Sequence, residues 1–113
     1  MVLVVRGELR LTAGKAAVQV AHAAVMLVEF ARKRQPAALE SWLSEGQKKI
    51  AVVAPTLEEM DRLYRLARAK GLPAVLVEDA GFTEVPPGTK TVLGIGPGKT
   101  EEVDSVTGSL PLL

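Results

Sequence analysis

The chain has 113 residues, of which 48% are apolar and 24% charged, and its formal net charge is +1. That length suits a single domain over residues 1–113 with a real core, and the near-neutral charge gives no global sign of a nucleic-acid binder. Cysteine is absent, which excludes disulfides and thiolate metal sites.

Val2-Leu3-Val4-Val5 is β-rich and apolar on both faces, the pattern of a central strand buried in a sheet. It ends at Arg6, far short of the apolar region of a secretory signal. The apolar run 23–28 is too short to cross a bilayer. A soluble cytoplasmic protein is expected. After a loop, the pattern predicts a helix from near Gly14 to about Arg34. Gln35-Pro36 breaks it, and Pro36 opens a second helix, PAALESWLSE, which Gly46 ends.

A second strand follows in KKIAVVAP. Thr56 and Glu59 then form a capping box for a helix that Gly71 and Pro73 stop, with Leu57, Met60, Leu63, Tyr64 and Ala67 as its buried stripe. AVLVED reads as a third strand, and the loop AGFTEVPPGT leads directly to a fourth, KTVLGIG. A short helix, KTEEVDSVT, ends at Gly108, and SLPLL trails off.

The order strand, helix, helix, strand, helix, strand, strand, helix predicts a three-layer α/β/α sandwich. Strands one to three run parallel, and the fourth, lacking a crossover helix, runs antiparallel in a mixed sheet. Sites in such sheets lie outside the carboxyl ends of the parallel strands. Lys15 at the start of the first helix, Asp79 at the end of the third strand, Thr83 in the next loop, and Lys90 and Thr91 at the start of the fourth strand are therefore expected on one rim.

Within the first helix, Lys15, Gln19 and His22 fall within about 60° of one another, a polar stripe in an otherwise apolar segment. The basic clusters Arg32-Lys33-Arg34, Lys48-Lys49 and Arg62, Arg65, Arg68, Lys70 read as solvated helix faces, with Glu58→Arg62 and Asp61→Arg65 as i,i+4 pairs. Asparagine is absent, and glutamine occurs only at 19, 35 and 47, a composition suggestive of a heat-adapted source.

Several chemistries are disfavoured. The lone histidine sits mid-helix and no serine occupies a G-x-S-x-G elbow, so a serine triad has no support. No carboxylates cluster at metal-ligand spacing. GIGPGK lacks the third glycine of a dinucleotide loop, and Pro97 removes an amide donor from it. What remains on the rim is a cation, an amide, a carboxylate and two hydroxyls. Such a set can orient water, accept a proton and hold an oxyanion, as suits a polar site for an anionic or carbonyl substrate.

At this level the sequence resembles the archaeal and eukaryotic type of peptidyl-tRNA hydrolase. The pattern G-K-x-x-x-Q-x-x-H-A is met by Gly14, Lys15, Gln19, His22 and Ala23. The pattern D-A-G-x-T, then P-G-x-x-T-x-L-G-I-G-P, is met by DAGFTEVPPGTKTVLGIGP. The resemblance implies hydrolysis of the ester between a peptide and the 3′ ribose of tRNA without metal or organic cofactor, and a homodimer. It places function on Lys15, Gln19, Asp79, Thr83 and Thr91. On this reading Asp79 orients or deprotonates water, and Lys15 stabilises the oxyanion or a 3′-terminal phosphate. Gln19 and the threonines position ester and water. His22 is expected as a deeper, buried imidazole bracing the site. Two positions depart from the family: Ala13 replaces a frequent lysine, and Phe82 a frequent basic or polar residue. Two phosphate contacts are then missing, and Phe82 is expected to stack on a terminal base. The competing reading is a non-catalytic RNA-binding or adaptor domain on the same rim.

Overall fold

A computed structural model describes residues 1–81 and 85–113. Four strands form one sheet: β1 (Val2–Arg6), β2 (Ile50–Ala54), β3 (Ala74–Glu78) and β4 (Lys90–Ile95). The helices are α1 (Ala13–Arg34), α2 (Pro36–Ser44), α3 (Leu57–Ala69) and α4 (Thr100–Thr107). The order across the sheet is β2-β1-β4-β3. β1 and β2 pair in parallel, and β4 runs antiparallel to both β1 and β3. Strands one to three thus share a direction, as expected, but β3 meets β1 only through the intervening β4.

Alternation along β1 divides the core in two. Val2 and Val4 face a cluster with Met60 and Leu63 of α3 and Val103 and Val106 of α4. Met1, Leu3 and Val5 face Ala23 and Leu27 of α1, with Trp42 of α2 against the same cluster. Both faces of the sheet are covered, which gives the three layers and explains why β1 reads as an uninterrupted apolar run.

α1 packs close to the sheet because β4 carries a glycine beneath it. A Cβ on Gly94 would come within 2.8 Å of Leu27 Cδ1. The helix buries Ala16, Gln19, Ala23, Leu27 and Ala31. By length and mean hydropathy alone α1 is long and apolar enough to cross a membrane, but here its buried stripe lies against the sheet, and its last turn carries Arg32, Lys33 and Arg34. Favourable charge at a helix carboxyl end and the break at Gln35 terminate it.

α3 begins as its sequence dictates: Thr56 Oγ1 accepts from Glu59 N at 3.2 Å. A second cap comes from far away in sequence. The Glu8 carboxylate accepts from Leu57 N at 2.7 Å and also from Arg6 Nε at 2.7 Å, and these bonds hold its pKa below the ordinary carboxylate value. Surface ion pairs differ from the expected i,i+4 pattern. Arg62 binds Glu59 through both Nε and Nη2, and Asp61 pairs with Lys90 of β4 at 3.6 Å. Arg62 finds its partner one turn back because the i,i+3 geometry permits a two-pronged guanidinium contact.

The carboxyl-terminal residues do not trail off. Val53 N donates to Pro111 O at 2.9 Å, Leu113 N donates to Ala51 O at 3.0 Å, and Val52 and Leu112 form an antiparallel bridge. The tail thereby covers the outer edge of β2.

Candidate active site

Asp79 follows directly on β3, and the main chain pins it there. Its N–H donates to Thr89 O at 2.9 Å, and its carbonyl accepts from Gly88 N at 2.8 Å. The side chain turns back on its own loop, with Oδ1 accepting from Gly81 N at 2.6 Å. Gly81 holds φ at 90°, a conformation that an L side chain rarely adopts. Asp79 as a whole is 3% exposed.

The pairing of β3 with β4 contains an irregularity at this point. Val77 stands opposite Val92, whereas Glu78 stands opposite Lys90, so Thr91 is an extra residue in β4. A bulge of this kind re-aims a side chain. Regular alternation from Leu93 would point Thr91 toward α3; instead its hydroxyl reaches Gln19 of α1.

Three buried side chains thus form a directed chain. Thr91 Oγ1 donates to Gln19 Oε1 at 2.6 Å, and Gln19 Nε2 donates to Asp79 Oδ2 at 3.4 Å. A carboxylate only accepts, so the amide nitrogen must face Asp79 and the amide oxygen Thr91. Gln19 is 4% and Thr91 0% exposed. Among the described residues, no buried side-chain nitrogen or oxygen is left without a partner.

The chain opens on a cleft of about 800 Å³ between α1 and β3, lined by Lys15, Gln19 and Asp79 at one end. Lys15 is half-buried in the first turn of α1, where the exposed N–H groups of a helix favour negative charge. Val18, Val25 and Met26 continue the lining along α1.

Of the expected site residues, Lys15, Gln19, Asp79 and Thr91 converge on this end of the sheet. Thr91 lies inside it, not on the rim, because the bulge turns it inward. Thr83 and Phe82 lie outside the described residues. Lys90 stands apart: its ammonium pairs with Asp61 of α3, on the opposite face of the sheet from α1.

His22 is corrected by the structure. It is exposed and lines the cleft, in place of the buried brace expected. At about 100° per residue, Gln19 sits on the border between the buried stripe of α1 and its cleft-facing side, and His22 lies about 60° further out. The polar stripe is therefore deepest at its middle residue. Sequence reasoning also missed the bulge. Its one signal was the pattern Lys90-Thr91-Val92, where two polar positions precede the apolar run.

The sequence profile of the family described as peptidyl-tRNA hydrolase PTH2 matches residues 1–113. The chain belongs to this family. A peptidyl-tRNA hydrolase from Methanopyrus kandleri is 54% identical over 113 residues, covering 99% of this chain and 96% of that protein. One from Thermococcus sibiricus is 47% identical, covering 99% of this chain and 95% of its own length. The mouse protein named peptidyl-tRNA hydrolase 2, mitochondrial, is 45% identical over 99% of this chain and 62% of its own length. The resemblance carried by the two long motifs thus extends across a family found in archaea and animals.

Proposed function

We propose that the chain hydrolyses the ester joining a peptide to the 3′ ribose of tRNA, and that it does so without a metal. The observation that carries this reading is the directed chain from Thr91 through Gln19 to Asp79, ending at a cleft that Lys15 also faces, in a member of the peptidyl-tRNA hydrolase family.

In the mechanism, a water held by Asp79 attacks the ester carbonyl, and Asp79 receives its proton. The carbonyl oxygen gains negative charge beside the Lys15 ammonium and the amino end of α1. Collapse of the tetrahedral species breaks the bond to the ribose 3′-oxygen, which takes up the proton and leaves. Gln19 touches Asp79 directly. Thr91 acts through Gln19 and is a positioning residue: its donated hydrogen bond fixes the amide so that nitrogen, not oxygen, faces the carboxylate. By the family resemblance, Thr83 contributes a hydroxyl to positioning the ester and water, and Phe82 a ring to stack on a terminal base. The exposed His22 is a contact for substrate in the cleft.

The test is cleavage of an N-acetyl-aminoacyl-tRNA, with and without a chelator. Ester hydrolysis that survives chelation is expected, as is its loss in Asp79→Ala with the fold retained. Binding without hydrolysis would move the chain to the adaptor reading, and chelator-sensitive turnover would end the metal-free mechanism. A cytoplasmic, homodimeric, heat-stable protein completes the proposal. Its supports are the absence of asparagine and cysteine and the family resemblance, and sedimentation with a thermal melt tests the last two properties.

A further inference from the structure

The cleft is longer than ester chemistry requires. Its lining on α1 runs from Lys15 to Met26, about 16 Å at 1.5 Å per residue. Its other wall includes Leu76, Val77 and Glu78 in succession. Consecutive strand residues point to opposite faces of a sheet, so this wall is the outer edge of β3 and not one of its faces.

β3 is the last strand of the sheet. Pro73 O accepts from Gly96 N and Asp79 N donates to Thr89 O, so residues 73 and 79 turn main-chain groups toward β4 and its approach. With a period of two, Leu76 and Glu78 turn theirs outward. Among the described residues no strand or tail pairs with that side. Facing it across the cleft are the unusually exposed Val18, Val25 and Met26, at 50%, 63% and 39%.

Resting on the hydrolase reading above, we propose that this cleft binds the peptide arm of the substrate, which adds to the outer edge of β3 as a parallel strand. The direction follows from the site. The ester carbonyl is the peptide's carboxyl end and must lie at Asp79, beyond the carboxyl end of β3. A peptide running back along the strand then shares its direction. The five residues of β3 offer room for roughly four extended peptide residues. Recognition falls on main-chain groups and a permissive apolar floor, which suits peptides of any sequence.

The test compares an N-acetyl-alanyl ester of tRNA with a tetraalanyl one. The longer substrate is expected to show about tenfold or more higher kcat/KM, chiefly through KM, as two or three added hydrogen bonds predict. N-methylation of its peptide bonds, and separately Val25→Glu, are expected to remove most of that advantage. Equal kcat/KM for both lengths, or an advantage that survives N-methylation, overturns the strand addition while leaving the hydrolase reading intact. Failure to cleave either substrate overturns both. Loss of a dimer in Val25→Glu with the length dependence unchanged assigns the cleft to a second copy of the chain and likewise overturns the proposal.

Discussion

The two outer edges of the sheet are treated in opposite ways. The β2 edge receives the protein's own tail, with two main-chain hydrogen bonds and a bridge at Val52 and Leu112. The β3 edge has no such cover among the described residues, and it borders the cleft that ends at Asp79. An exposed strand edge is a hazard, because it templates pairing with any other strand. Closing one edge and leaving the other beside Asp79 separates two duties: one edge serves stability and, on the reading proposed above, the other receives substrate.

The sharpest way to break that contrast is at the open edge. Asp79→Asn preserves shape but removes the proposed base, and steady-state assays should show kcat lower by about 10²- to 10⁴-fold. Activity within a fewfold of wild type would move the base elsewhere. Thr91→Val, next in size, should lower stability by about 1–3 kcal/mol, because the buried Gln19 oxygen loses its donor. It should also depress kcat more than KM, which a purely structural role would not do. A denaturant melt and a kinetic assay on the same preparation separate the two.

At the closed edge, removing Pro111, Leu112 and Leu113 should cost about 1–3 kcal/mol, the net worth of two main-chain bonds. It should also promote self-association visible in sedimentation, while turnover per folded molecule stays near wild type. The smallest expected effect concerns the amino terminus, where β1 and β2 begin. Burial lowers the Met1 ammonium pKa from its ordinary value of 8.0, with Lys48 and then Lys49 adding to the effect. The unfolded chain then binds the extra proton in the window between the lowered value and 8.0. Stability should therefore rise with pH through that window and level off above it. Denaturant midpoints across that range test this, and Lys48→Ala should reduce the slope.

Local signals in the sequence were read most directly. The Thr56/Glu59 cap of α3, the stop at Gly71, whose φ is 75°, and the apolar-on-both-faces reading of β1 each depend on neighbours in the chain. The convergence of Lys15, Gln19 and Asp79 was equally accessible, since strand direction places all three at one end. Non-local pairing was not. Nothing local says that β4 inserts between β1 and β3, that Glu8 caps a helix starting at Leu57, or that residues 111–113 join β2. His22 failed for another reason. A stripe drawn at helical spacing shows which residues are neighbours, but whether its border or its centre faces the sheet depends on how the helix is rolled. Gln19 took the buried position and His22 the open one.

The bulge in β4 gives the site an unusual status within the architecture. Val92 pairs with both Val77 and Val5, and Lys90 already stands opposite Glu78 with its ammonium on Asp61. Omitting Thr91 would leave those partners in phase and the ladder formally complete, while removing the donor to the buried Gln19 oxygen. The hydroxyl that aligns the amide is thus supernumerary to the sheet, one link threaded into a chain that closes without it. On the proposed reading, the residue that positions the carboxylate is an insertion in the scaffold.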